Sequence, residues 1–361
     1  STFSLAEQTA GWSYLDWSLP LGISFFTFQG ISYLVDIYRD ELNYKNSLLD
    51  VLLFISFFPH LVAGPIVKAN DFIPQLKQKV NPNNIPVIYA SSLIIFGLFK
   101  KVLIANHLGT DFVDPVFDDP SSFSATELLM AAYGYSVQIF CDFSAYSDMA
   151  IGFAALLGYE FPINFKQPYQ AKSLQDFWRR WHISLSSWLK NYVYQPLGGS
   201  QNSGRFAKLK TYRNLFLTMF LGGLWHGASW NFLIWGSLHG FGLALERFVK
   251  SFINTHTFIP SEIWKKPVLI HIPKLLSAFY MLIVFHFVTL AWIFFRAPSF
   301  DKAQEYLSHL LTTTAQISTI TTLPFNSHFK IFNSFYFGLL FIGIMIHFLS
   351  LKQTYNVLIY T

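Results

Sequence analysis

No Lys or Arg occurs between Val102 and Phe165, and the stretch 125–158 inside that interval is overwhelmingly apolar and small. Crossing a bilayer core of ~30 Å takes roughly 20 apolar residues in helical form, and this stretch exceeds that length. Comparable stretches lie at 17–38, 47–66, 86–108, 211–250, 272–295 and 332–351. The fourth of these is long enough for two segments, so about eight hydrophobic segments are expected. Only 12% of residues are charged, against 52% hydrophobic and 19% aromatic; a soluble domain usually carries about twice that charge. The pattern specifies an all-α, polytopic membrane protein. A β-barrel would show short alternating segments instead. Without an internal repeat or low-complexity tract, residues 1–361 read as a single membrane domain.

Charge placement sets an orientation. Asp111, Asp114, Asp118 and Asp119 cluster in 109–124, whereas Phe177 to Leu245 holds Arg179, Arg180, Lys190, Arg205, Lys208, Lys210 and Arg213 and no acid. Cytoplasmic loops are enriched in Lys and Arg, which puts 166–213 on the cytoplasmic side and the 109–124 loop outside. Lys100 and Lys101 fit this scheme poorly. Residues 173–194, SLQDFWRRWHISLSSWLKNYVY, mix tryptophans with cations. They read as one interfacial or re-entrant helix opening on Ser173 and Asp176, with its tryptophans at headgroup level among the membrane lipids. QPLGGSQNSGR (195–205) ends it with Pro and paired Gly.

Two histidines stand out. His226 follows Arg213 by thirteen residues, about 20 Å of helical rise, which carries it well into the hydrocarbon layer. Ionisable groups at that depth usually face a cavity, a pathway or a partner. On a continuous helix His226 would share a face with Gly222, Gly223, Ser229 and Trp230. Those glycines read either as clearance for a substrate or as points of close helix packing, and the residues alone leave both open. His182, on a helical face with Trp178, Arg179 and Leu185, is equally readable as an interfacial side chain. A zinc site from His182, His226 and His239 lacks a recognised ligand spacing, so no metal is expected. The single cysteine, Cys141, excludes a disulfide framework. The basic run 205–213 reads either as a solvated cytoplasmic loop that sets topology or as a cluster able to attract the phosphates of a nucleotide-like thioester donor; it contains no phosphate-loop pattern, and nothing in the pattern points to nucleic acid. Asp142 and Asp148 lie in an otherwise apolar helix, and Asp142 reads as a buried partner of an Arg or as a hydrogen-bonded structural acid.

Several strings together resemble one family. LPLGISFFTFQGISYLVDIYR (19–39), FFPHLVAGPIVKANDF (57–72), QIFCDFSAYSDMAIG (138–152), DFWRRWHISLSSWLKNYVYQPLGGS (176–200) and GGLWHGASWNFLIWGSLHG (222–240) occur in the order seen in bacterial membrane-bound O-acyltransferases. They are most similar to the alginate O-acetylase and peptidoglycan O-acetyltransferase type. The D-alanylating branch shares the FWxxWH and WHG themes but usually lacks the PLGG turn at 196–199. The resemblance implies a ring of transmembrane and re-entrant helices around a central funnel or tunnel, where donor and acceptor meet from opposite sides. It implies His226 as the essential catalytic residue and His182 as the second signature position. Trp225, Trp230, Asn231, Trp178, Trp181, Arg179 and Arg180, which lie within or beside these motifs, are the expected walls and substrate contacts. Hydrophobic segments expected before Leu19 in such proteins are not in this sequence, which opens on Ser1.

The implied activity is transfer of an acetyl group from cytoplasmic acetyl-CoA across a bacterial inner membrane. The acceptor would be a periplasmic or extracellular polysaccharide or peptidoglycan, reached through a periplasmic acetyl-accepting partner protein. A sugar hydroxyl is a poor nucleophile at neutral pH, and a neutral imidazole is the side chain suited to take its proton in the transition state. Imidazole can also carry the acetyl group itself. Two alternatives stay open: D-alanyl-type transfer from a carrier thioester, and a non-enzymatic transporter or channel with His226 as a gate.

Overall fold

The computed structural model describes residues 22–42, 46–61, 63–201, 203–256, 272–317 and 334–348; every regular element among them is helical. The first four helices are α1 (Ile23–Tyr38), α2 (Leu48–Ser56), α3 (Phe58–Leu61) and α4 (Ala69–Leu76). Expected as one span over 47–66, α2 and α3 are separate. Pro59 lacks the N–H that would bond back to Ile55, so Phe57 turns extended and a new helix starts with Pro59 in its first turn, where proline is tolerated. Ser47 and Asp50 close a reciprocal capping box at the start of α2.

Helix α5 runs from Val87 to Asp118, well past the expected end at 108, through π-helical stretches at Phe99–Asn106 and Gly109–Val113. Much of the anticipated 109–124 loop is therefore helix. Helix α6 (Ala125–Leu156) opens on a capping box between Ser124 and Glu127. Then come α7 (Leu174–Trp178), α8 (Ile183–Leu189), α9 (Ala207–His226) and α10 (Trp230–His256). Helices α11 (Ile272–Arg296), α12 (Phe300–Ile317) and α13 (Ser334–Phe348) complete the described set. Residues 17–21, 332–333 and 349–351 of the expected terminal spans lie outside the described residues.

Three described helices are long and apolar enough to cross a membrane: Val87–Asp118, Ala125–Leu156 and Leu275–Arg296. That is fewer than the hydrophobic runs suggest. Proline splits one run, α9 begins with Lys208, Lys210 and Arg213, and α10 ends among Glu246, Arg247 and Lys250. Of the three spans α6 is the inner one, with 61% of its apolar window buried against 28% for α5 and 33% for α11. Leu98, Val102, Phe279 and Leu282 on the outer two remain exposed. In a bilayer such side chains meet lipid without penalty, because every backbone group is satisfied within its helix.

Lys100 and Lys101 find their explanation between α5 and α6. The wider π turn brings consecutive side chains toward one neighbour. Lys100 Nζ donates to Asp148 and to Ser144 Oγ, both at 2.7 Å, with the Lys100 and Asp148 side chains buried. Lys101 Nζ donates to Asp142 at 2.5 Å. Both lysines are thus neutralised within the helix pair, whereas the positive-inside rule counts loop residues. The two acids of α6 are structural partners of cations.

Candidate active site

His226 is the last residue of α9. The chain reverses through Gly227, whose φ of 156° is one that side-chain-bearing residues rarely adopt, and re-enters helix at Trp230. The continuous helical face expected around His226 does not exist; α9 and α10 form an antiparallel hairpin. Its glycines bring the two backbones together. A Cβ on Gly223 would lie 2.3 Å from Phe232 O and 3.0 Å from Gly236 Cα, and one on Gly240 would lie 2.9 Å from Phe216 Cα. Close helix packing, rather than clearance for substrate, is what Gly223 provides. The turn leaves Trp230, placed in the site by motif, 70% exposed and outside it. Asn231 is buried, its Nδ2 donating to Ala297 O at 2.8 Å, which ties the start of α10 to the end of α11.

His182 occupies a break. Instead of one interfacial helix, 173–194 folds as α7, a kink, α8 and a π turn at Lys190–Tyr194. Ser173 caps α7 by accepting from Asp176 N at 3.0 Å. His182 then adopts a left-handed φ of 41°, a conformation costing roughly 1–2 kcal/mol for a side-chain-bearing residue. The surrounding hydrogen bonds hold it there. Lys166 N donates to Arg180 O and Ile183 N to Asn164 O, each at 2.9 Å. Asn164 also accepts from Ser184 Oγ at 2.9 Å and donates to Ser147 Oγ at 3.0 Å, while Ile66 N donates to Ser184 Oγ at 2.9 Å. Buried Asn164 thus joins α6, α8 and the 63–66 segment around His182, a role no sequence motif signalled.

The tryptophans of this segment do not face outward as anchors would. Trp178, Trp181 and Trp188 are buried in protein, and two of them wall the site. His226, itself only partly covered, touches Trp225, Trp235 and Phe295 with ring centroids 4.6, 5.2 and 4.8 Å away. Trp235 stacks on Trp292 at 5.7 Å, and Trp292 meets Trp181 at 5.1 Å. Behind Trp235 lies fully buried His239, whose Nδ1 accepts from Trp178 Nε1 at 3.3 Å. This bond fixes a tautomer with the proton on Nε2. His182 packs on Phe143 at 4.6 Å and is linked to His226 through the rings of Phe165, Trp181, Trp292 and Trp235. Its Nε2 is buried without a hydrogen-bond partner, as are Trp235 Nε1 and Asn231 Oδ1. Buried polar atoms are rarely left unpaired unless a water or ligand serves them.

Arg179 and Arg180 are not brought to this box. Arg179 is exposed, and Arg180 Nε donates to Asp176 at 2.9 Å. Trp235 and His239 lie within the 222–240 motif, but their place in the site follows only from the hairpin. Trp292 and Phe295 come from α11, where no local pattern pointed to them. Among the described residues no cluster of three or more His, Cys, Asp or Glu could hold a metal ion.

A helical membrane protein with two histidines on one tryptophan-rich set of packed rings is the class this geometry defines, and residues 38–282 match the model of the MBOAT, membrane-bound O-acyltransferase family. The chain belongs to that family. It is 42% identical over 323 residues to a peptidoglycan O-acetyltransferase of Helicobacter pylori, covering 81% of this chain and 57% of that protein. It is 39% identical over 287 residues to the probable alginate O-acetylase AlgI of Pseudomonas aeruginosa, covering 79% and 50%. Similarity to the teichoic acid D-alanyltransferase of Bacillus subtilis is lower, 29% identity over 287 residues, covering 78% of this chain and 69% of that protein. The chain spans about half the length of the O-acetylating relatives it matches.

Proposed function

We propose that this chain is the membrane acyl-transfer domain of an O-acetyltransferase. It takes acetyl from acetyl-CoA on the cytoplasmic face of a bacterial inner membrane and delivers it toward a periplasmic polysaccharide or peptidoglycan. The observation that carries the reading is that His226, at the tip of the α9–α10 hairpin, and His182, in the α7–α8 break, belong to one connected set of packed rings that includes Trp181, Trp292 and Trp235. Higher identity to O-acetylating relatives than to D-alanylating ones favours acetyl as the group moved.

In this mechanism His226 is the catalytic base. Its neutral imidazole accepts the proton of the attacking hydroxyl as oxygen adds to the thioester carbonyl. The tetrahedral intermediate then collapses, the C–S bond breaks, and the sulfur leaves as thiolate, taking up the proton from the imidazolium. The unpaired Nε2 of His182, carrying a proton, would donate to the carbonyl oxygen as it gains charge. A covalent variant uses the same residues, with His226 attacking the thioester and passing acetyl to the hydroxyl in a second step. Trp225, Trp181 and Trp235 exclude water, which would otherwise hydrolyse the thioester. The motif segment 173–213 acts within the same domain, as the support for His182 and the basic face of the membrane boundary. A periplasmic acetyl-accepting protein carries the group onward to the glycan.

The reading is tested by incubating the purified protein with acetyl-CoA labelled in the acetyl group, and separately with a D-alanyl-loaded carrier. Release of CoA with label moving to protein or to an added glycan is expected. Turnover of the loaded carrier alone would assign D-alanyl transfer. Solute uptake into vesicles without thioester cleavage would assign transport.

A further inference from the structure

At the end of the α9–α10 hairpin remote from His226, a cavity of about 390 Å³ opens to the surface. Lys208, Arg247 and Lys250 line it, with the hydroxyls of Ser200, Tyr212 and Ser251, and no carboxylate is among its lining residues. Lys208 Nζ donates to Ser251 Oγ at 3.0 Å, while Lys250 reaches sideways to Glu246 at 2.5 Å. Lys208 and Arg247 beside hydroxyls, with Lys250 shared with Glu246, make a site for a phosphate ester.

The surroundings say which kind. Phe206, Leu209, Leu245 and Phe248 are exposed around the same hairpin end, and Phe248 meets Tyr212 of the cavity edge-on at 6.4 Å. Apolar side chains open to the outside next to clustered cations are what a lipid needs, with its tails on the former and its headgroup on the latter. The thioester donor is poorly matched in reach. From Lys208 to His226 the helix rises about 27 Å. A pantetheine arm, equivalent to about five extended residues, spans only ~17 Å. A donor with its phosphates in this cavity would leave its thioester far short of the histidine.

We propose that this cavity binds the phosphate headgroup of an anionic phospholipid on the cytoplasmic face, anchoring the hairpin that carries His226. The protein is reconstituted in nanodiscs containing phosphatidylglycerol and phosphatidylcholine in equal amounts, then released and its retained lipids counted by native mass spectrometry. The expected result is preferential retention of phosphatidylglycerol, falling roughly fivefold for each cation removed in Lys208→Gln and Arg247→Gln, while Arg247→Lys keeps it. Melting temperature and monodispersity of each variant are measured in the same preparation, so that loss of lipid without loss of fold is read directly. Equal retention of the two lipids by the unmodified protein overturns the proposal. So does displacement of phosphatidylglycerol by millimolar CoA or inorganic phosphate, which would assign the cavity to a soluble phosphate ester.

Discussion

Replacing Gly223 by Ala tests how the hairpin sets the position of His226. The added Cβ falls 2.3 Å from Phe232 O, 3.0 Å from Gly236 Cα and 3.1 Å from Gly236 N. A carbon rarely approaches a carbonyl oxygen closer than about 3.3 Å, so α9 and α10 must part by about 1 Å. All three atoms belong to backbone, and no rotamer change relieves them. Overpacking of this kind costs about 1–3 kcal/mol. His226 lies three residues on, about 4.5 Å along the same helix, and shares the displacement. A misplacement of ~1 Å at a reacting group is enough to lower a rate by about 10²-fold. Gly222→Ala is the matched control, since its Cβ would meet only the Cδ1 of Leu189 at 3.2 Å, the flexible end of a side chain. Initial rates of thioester cleavage and thermal unfolding in detergent are measured for both. Gly223→Ala should lose activity by tens- to a hundredfold with a lowered Tm, and Gly222→Ala should stay within a few-fold of the unmodified protein. Equal, mild effects in the two variants would refute the argument that backbone contact at Gly223 positions the histidine.

Lys100→Met should destabilise by about 3–5 kcal/mol, because it strands the buried Asp148 carboxylate. Lys100→Met combined with Asp148→Leu should recover much of that loss in a denaturation experiment. Asn231→Leu removes the 2.8 Å bond to Ala297 O and should cost about 1–3 kcal/mol, with increased hydrogen exchange at the α10–α11 junction. Asp119, in the turn between α5 and α6, accepts from Ser122 and Ser121, which hold its carboxyl below the usual carboxylate range. A depressed carboxyl stabilises the folded turn above the unfolded value of about 3.9. That contribution should fade as pH falls below about 4, measured as lower protection of the Ser121 and Ser122 amides relative to their intrinsic exchange at each pH, and Asp119→Asn should abolish the pH dependence.

The membrane class was readable because apolar composition over helical length reports burial or lipid, whereas which of the spans is the inner one, 125–156, emerged only from the packing. The residues alone left His226 and His182 open between structural and functional readings, and it was the FWxxWH and WHG motifs that singled them out. What composition hides is where helices stop. Gly227 looks like one more small residue in WHGAS, yet its backbone turns the chain and sends Trp230 outside. His182 sits in an apparently continuous amphipathic pattern, and only its bonds to the 164–166 segment make the break visible. Lys100 and Lys101 defied the charge rule because their acids lie on the next helix, more than forty positions along the chain. Trp292 and Phe295 were out of reach for the same reason, being supplied to the site by α11 across the fold.

The central claim is that His226 performs the chemistry. The direct measurement is the single-turnover rate of acetyl transfer from saturating acetyl-CoA by purified His226→Ala, with its melting temperature and helical content compared with the unmodified protein. Loss of a base of this kind removes about 10²–10⁴-fold in rate, and the account predicts at least that loss in a folded variant. A folded His226→Ala protein that transfers acetyl at the unmodified rate would contradict it.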